Sequence, residues 1–108
     1  YDLRTNETYQ ATMSKLDRTI GIRNVRAMHL NDSKADFGSQ RDRHENLGQG
    51  KIGIEAFHRI MNDERLTRIP CVLETPAGED EEAMHGVWSR EVEMLVSTAC
   101  SDVHTLTR

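Results

Sequence analysis

His29 and Glu74 are the first residues whose type and placement suggest chemistry. Each closes a short apolar run that reads as a strand, Val25–Leu30 for the histidine and Cys71–Glu74 for the glutamate. Ligands and catalytic groups gather at the carboxyl ends of parallel strands. An imidazole and a carboxylate at two successive strand ends are the donors a metal site there would need. Asp42 and His44, in Asp42-Arg43-His44, make a second pair. In extended backbone, residues i and i+2 point the same way, so both can reach one cation. Such nitrogen and oxygen donors suit zinc in hydrolytic sites. Each residue also has an ordinary reading alone: a packing histidine, a helix-capping glutamate, a solvated Asp-x-His turn. Spacing by itself leaves both readings open.

Lys34, Arg41, Arg43 and Lys51 share the segment that carries Asp42 and His44. They are either surface charge or phosphate contacts grouped around metal. Gly48-Gln49-Gly50 is too short for a dinucleotide fingerprint and follows no strand. His58, His85 and His104 read as surface histidines. Trp88 reads as a core residue rather than a base-stacking platform.

The elements that must position these side chains follow from periodicity. Tyr9, Met13, Leu16 and Ile20 recur at helical spacing, with Thr5 as N-cap and Gly21 as the stop. On the strand that follows, Val25, Ala27 and His29 share one face, and Met28 and Leu30 the other. The segment from Asn31 to Gly53 has four glycines, many charges and little apolar periodicity. A connection longer than ~12–15 residues is often functional. Ile54, Phe57, Ile60 and Met61 predict a short helix ending near Asn62. Pro70 is acceptable at the start of the second strand. Met84, Trp88, Val92, Leu95 and Ala99 predict the apolar face of a last helix. Structure is expected over about residues 1–96, with 97–108 a polar tail. Alternating helices and strands predict an α/β fold with parallel strands.

The chain has 108 residues and a net charge of −4, with 7 Gly, 2 Pro and 2 Cys. One domain at most fits that length, and no apolar run is long enough for a membrane span. The pI of about 5.7 argues against a simple basic nucleic-acid-binding domain, although bound divalent metal can reverse the charge of a carboxylate-rich site. Cys71 and Cys100 form no CxxC and no disulfide framework. An intracellular location is expected, nucleus or cytoplasm left open. The stretch after Tyr1 lacks the form of a secretory leader. Beginning at Tyr rather than Met, the chain is expected to be processed or part of a longer one.

Several stretches together resemble the endonuclease IV family of abasic-site DNA repair enzymes. They are Tyr1-Asp2-Leu3-Arg4-Thr5, Met28-His29-Leu30-Asn31-Asp32-Ser33-Lys34, Gly38-Ser39, Asp42-Arg43-His44, Leu47-Gly48-Gln49-Gly50-Lys51-Ile52-Gly53, and Ile69-Pro70 through Leu73-Glu74-Thr75-Pro76. The resemblance implies a TIM (β/α)8 barrel, of which this chain would be the C-terminal portion, about two-fifths of ~250 residues. It implies a trinuclear zinc site and hydrolysis of the phosphodiester 5′ of abasic sites in double-stranded DNA, with removal of 3′-blocking groups. By position, His29 and Glu74 resemble ligands of one zinc, and Asp42 and His44 ligands of another. Lys34, Arg41 and Arg43 resemble DNA contacts. Family members often carry a basic residue directly after Gly-Ser, where this chain has Gln40. The family's other ligands, a bridging carboxylate among them, would lie upstream of Tyr1. The isolated chain is therefore expected to be inactive, and the N-terminal part of the barrel to be required. A related metal-dependent sugar isomerase or epimerase barrel, or a non-catalytic zinc-binding fragment, are the alternatives.

Overall fold

Thr5 opens the first helix. In the computed structural model, which describes residues 1–99, the Thr5 hydroxyl accepts from the Thr8 amide at 3.2 Å. The Thr8 hydroxyl in turn accepts from the Thr5 amide at 3.2 Å. This reciprocal cap satisfies two amides that the helix leaves open. Helix α1 spans Asn6–Thr19 and buries Tyr9 and Met13. Gly21 leaves it at φ 87°, a conformation glycine adopts without a steric penalty. Ile20, expected on the buried face, is the C-cap and is exposed.

The first strand, β1, is only Met28–Leu30, shorter than the expected Val25–Leu30. The reason is local: a 3-10 turn at Ile22–Asn24 ends with the Val25 amide on the Ile22 carbonyl, so Val25 is spent closing the turn. Strand alternation holds, with Leu30 buried and His29 exposed.

The segment from Asn31 to Gly53 departs most from expectation. It contains two short antiparallel strands, β2 (Asp32–Ser33) and β3 (His44–Glu45), paired Asp32 to Glu45 and Ser33 to His44. The fully buried Asp32 organises it. Its Oδ1 accepts from the amides of Ser33 (2.7 Å) and Ile52 (2.9 Å). Its Oδ2 accepts from the amides of Gly48 (3.0 Å) and Gly53 (3.2 Å). A buried carboxylate is tolerable only with such partners. Gly50 must be glycine here, because a Cβ would meet the Ser33 carbonyl oxygen and would lie 2.5 Å from Asp32 Oδ1.

Helix α2, Ile54–Met61, follows directly and buries Ala56, Phe57 and Ile60. Strand β4, Cys71–Leu73, lies parallel to β1 with Leu73 opposite Leu30. Two bonds extend the ladder, from the Met28 amide to the Pro70 carbonyl and from the Glu74 amide to the Leu30 carbonyl, both 3.0 Å. Pro70, which has no N–H to give, contributes only its carbonyl.

Helix α3, Glu81–Thr98, starts at Asp80, whose side chain accepts from the Ala83 amide. Its expected apolar face is corrected by the structure. Leu95 is buried, but Trp88, Val92 and Val96 are 37%, 49% and 46% exposed. Glu91 explains the rotation, since it lies one turn before Leu95 and is itself buried. Its Oε2 accepts from the Leu47 amide at 2.9 Å, and its Oε1 bonds the Thr75 hydroxyl. Trp88 stays at the rim, donating from Nε1 to the Thr75 carbonyl. The expected tail over 97–108 is corrected at its start, since Ser97 and Thr98 belong to α3; residues 100–108, with Cys100 and His104, lie outside the described residues.

Tyr9, Met13, Leu30, Leu47, Phe57, Ile60, Leu66 and Leu95 form the core. Among the described residues no helix is long and apolar enough to cross a membrane. Beside the core, the Tyr9 hydroxyl donates to Asp63 at 2.7 Å, and Arg65 forks onto both Asp63 oxygens at 2.9 and 2.8 Å. Burial pushes the Asp63 carboxyl up, but bonds from Arg65 and Tyr9 outweigh it and hold the group below its ordinary 3.8.

Two outcomes follow from these carboxylates. Asp32→Asn places an amide N–H2 against backbone donors, so loss of at least ~1–3 kcal/mol is expected. Loss of hydrogen-exchange protection at the Gly48, Ile52 and Gly53 amides would check it; unchanged protection would sink the account. Asp63 is depressed in the folded state, so its contribution is present above the ordinary carboxylate value and is lost as pH falls through the lower folded value. Asp63→Asn should therefore weaken the protein at neutral pH and flatten its acid-denaturation curve in urea melts below about pH 4.

Candidate metal centre

His29 and Glu74 stand at the same end of the parallel pair: His29 lies opposite Val72, and Glu74, two residues beyond Val72, shares its face. His29 Nδ1 contacts Glu74 Oε2 directly. Both side chains are open to solvent, at 65% and 47% exposure.

His44 lies on β3, which pairs with the strand that Asp32 anchors. Its Nδ1 is 2.7 Å from the Glu74 backbone carbonyl. A carbonyl can only accept, so Nδ1 carries the hydrogen, and in the neutral ring Nε2 presents a lone pair. That lone pair faces Asp42 Oδ1 at 3.1 Å. A cation between Nε2 and Oδ1 would satisfy both acceptors. Anchoring one ring nitrogen on a carbonyl is how metal-binding histidines are commonly oriented.

The four residues thus form one connected run, His29 to Glu74 to His44 to Asp42, in which the Glu74 backbone carbonyl makes the middle link. The structure brings together all four residues singled out from sequence. It does so as two pairs, and among the described residues no three His, Cys, Asp or Glu side chains converge closely enough to hold an ion. The donor set, two imidazoles and two carboxylates, fits zinc chemically. Each pair would still need ligands from elsewhere.

Lys34 and Arg43 face each other at the neck of the loop that leads to this run, where the Lys34 amide donates to the Arg43 carbonyl at 2.9 Å. Gly38 and Gln40 turn its tip with φ of 82° and 60°. Lys34, Arg41 and Arg43 are all exposed. Lys51 reaches back to Asp36 at 3.8 Å. His58 pairs with Glu55 on the same helix, and His85 is exposed, as expected of surface histidines.

Sequence reasoning missed the residues that hold this frame. Asp32 fixes β2 and the glycine loop, while Glu91, Thr75 and Asn46 tie α3 to the segments after β3 and β4. No local signal marks Asp32, since the amides it takes from Gly48, Ile52 and Gly53 lie 16, 20 and 21 residues on.

Comparison with known proteins places this geometry. Residues 4–98 match the family model described as xylose isomerase-like TIM barrel. The chain is 51% identical over 80 residues to the probable endonuclease 4 of Chloroflexus aggregans, covering 74% of this chain and 28% of that protein. It is 50% identical over 95 residues to apurinic-apyrimidinic endonuclease 1 of Schizosaccharomyces pombe, covering 88% of this chain and 26% of that one. The crystal structure of endonuclease IV from Thermus thermophilus superposes with a TM-score of 0.67 at 38% identity, over 87% of this chain and 34% of the other. The chain thus spans little more than a quarter of the length of these curated relatives. Its parallel strand pair with flanking helices is a portion of a TIM barrel, and the chain belongs to the endonuclease IV group, AP endonuclease family 2, of the xylose isomerase-like TIM barrels.

Proposed function

We propose that the protein carrying this chain is a zinc-dependent endonuclease of DNA base excision repair, acting inside the cell. It hydrolyses the phosphodiester on the 5′ side of abasic sites in double-stranded DNA. The observation that carries this reading is the continuous run His29–Glu74–His44–Asp42 at the strand ends, in a chain half identical to proteins named apurinic-apyrimidinic endonucleases.

In this reading His29 and Glu74 supply donors to one zinc, and Asp42 and His44 to another. Clustered zinc, when bound, neutralises phosphate oxygens, lowers the pKa of bound water and stabilises the leaving oxygen. The residues of this chain do the positioning. The Glu74 carbonyl holds the His44 ring by Nδ1 and turns Nε2 toward Asp42. The Asp32 cradle fixes the strand opposite His44. Lys34, Arg41 and Arg43 contact backbone phosphates, which sets register on the duplex without reading sequence. Extruding a nucleotide is cheapest where its base is already missing. The sites of this chain are incomplete alone, so the remainder of the barrel supplies the other ligands.

In the full-length protein, His44→Ala should lower nicking of an abasic-site oligonucleotide by at least the ~100-fold upper range that metal-orienting groups command. It should also lower the bound zinc measured by elemental analysis. Undiminished nicking would defeat the ligand assignment. The purified 108-residue chain, supplied with zinc, should show no nicking of the same substrate; robust cleavage would overturn the requirement for the rest of the barrel.

A further inference from the structure

Four arginines line one groove at the other end of the strands. Arg23 and Arg26 lie in the segment leading into β1, and Arg65 and Arg68 in the segment leading into β4. Because β1 and β4 are parallel, both segments meet at the amino ends of the strands, away from His29 and Glu74. The groove holds about 500 Å3, within the ~300–1,000 Å3 of typical ligand sites.

Its charge is not internally neutralised. Arg65 is engaged by Asp63, but among the described residues no ion pair involves Arg23, Arg26 or Arg68. Arg26 Nη1 donates only to the Arg23 carbonyl, at 3.1 Å. The one acid in the lining, Asp17, accepts from the Ile22 amide at 2.9 Å and sets a single negative charge against the four arginines. All four arginines are exposed. A basic concavity of this kind stands out in a chain of net charge −4. There is no lysine in it, and guanidinium forks match planar carboxylates bidentately where ammonium groups do not.

The floor is apolar, formed by Ile22, Val25 and Ile69. We propose that this groove docks an acidic peptide segment of a partner protein, with carboxylates on Arg23, Arg26 and Arg68 and an apolar side chain on the Ile22–Val25–Ile69 floor. A nucleic-acid backbone would use the arginines but leave that floor idle. A duplex lying across the carboxyl ends of the strands would not reach the opposite end. The proposal is independent of the function of the metal-type residues.

The test uses the full-length protein and fluorescence anisotropy. The probe is a short synthetic peptide of Asp and Glu with a central Leu-Phe pair. Two controls are the same peptide with Ser replacing Leu-Phe, and a single-stranded oligonucleotide of equal length. The Leu-Phe peptide should bind most tightly, weaken with salt, and lose about tenfold or more in affinity with Arg23→Gln or Arg68→Gln. Abasic-site nicking by both variants should equal that of the parent, which also verifies their folding. Peptide affinity indifferent to both substitutions would overturn the proposal. So would tighter, substitution-sensitive binding of the oligonucleotide, which would make the groove a nucleic-acid site. Loss of nicking together with peptide binding would overturn the separation of the two ends.

Discussion

The carboxylate of Asp32 is the constraint on which the candidate site depends. It sits fully out of water and receives four backbone amides from residues up to 21 positions away. Each of those bonds is charge-assisted and stronger than a neutral one. Losing any of them would leave a buried charge short of a partner. The result is that a glycine-rich segment with almost no apolar content behaves as a fixed frame. β2 is part of that frame, β3 pairs with it, and His44 rides on β3.

Glu91 does for α3 what Asp32 does for the loop. By taking the Leu47 amide and the Thr75 hydroxyl, it locks the helix across the segments that follow β3 and β4. The helix then faces the core with a carboxylate and Leu95, and turns Trp88, Val92 and Val96 outward. In an isolated small domain such a face would be a liability.

Much of the site is legible in the sequence because its signals are short-range. His29 and Glu74 close apolar runs, and Asp42 and His44 share an extended segment at i and i+2. The helices are legible too: Thr5 as cap, Gly21 as stop, and the Phe57–Ile60 face all stand where periodicity puts them. What escapes is long-range polar satisfaction. Nothing local to Asp32 says that Gly48 and Gly53 will bond it, so the loop reads as structureless. Nothing local to Glu91 says that it will be buried, so periodicity alone puts Trp88 in the core. The late start of β1 escapes for a smaller reason, the competition of a 3-10 turn for the Val25 amide.

The loop that leaves this frame is crowded at its neck and open at its tip, where backbone conformation rather than packing sets the limits. At the neck, Gly50 admits no side chain at all. At the tip, Gly38 has open space around it, but its φ of 82° strains any side chain placed there, and Gln40 already carries a φ of 60°. Mutational tolerance is therefore distributed unevenly over a few residues. Charge at exposed Arg41 can change while His44 stays bonded to the Glu74 carbonyl, whereas Gly38 cannot change without backbone strain.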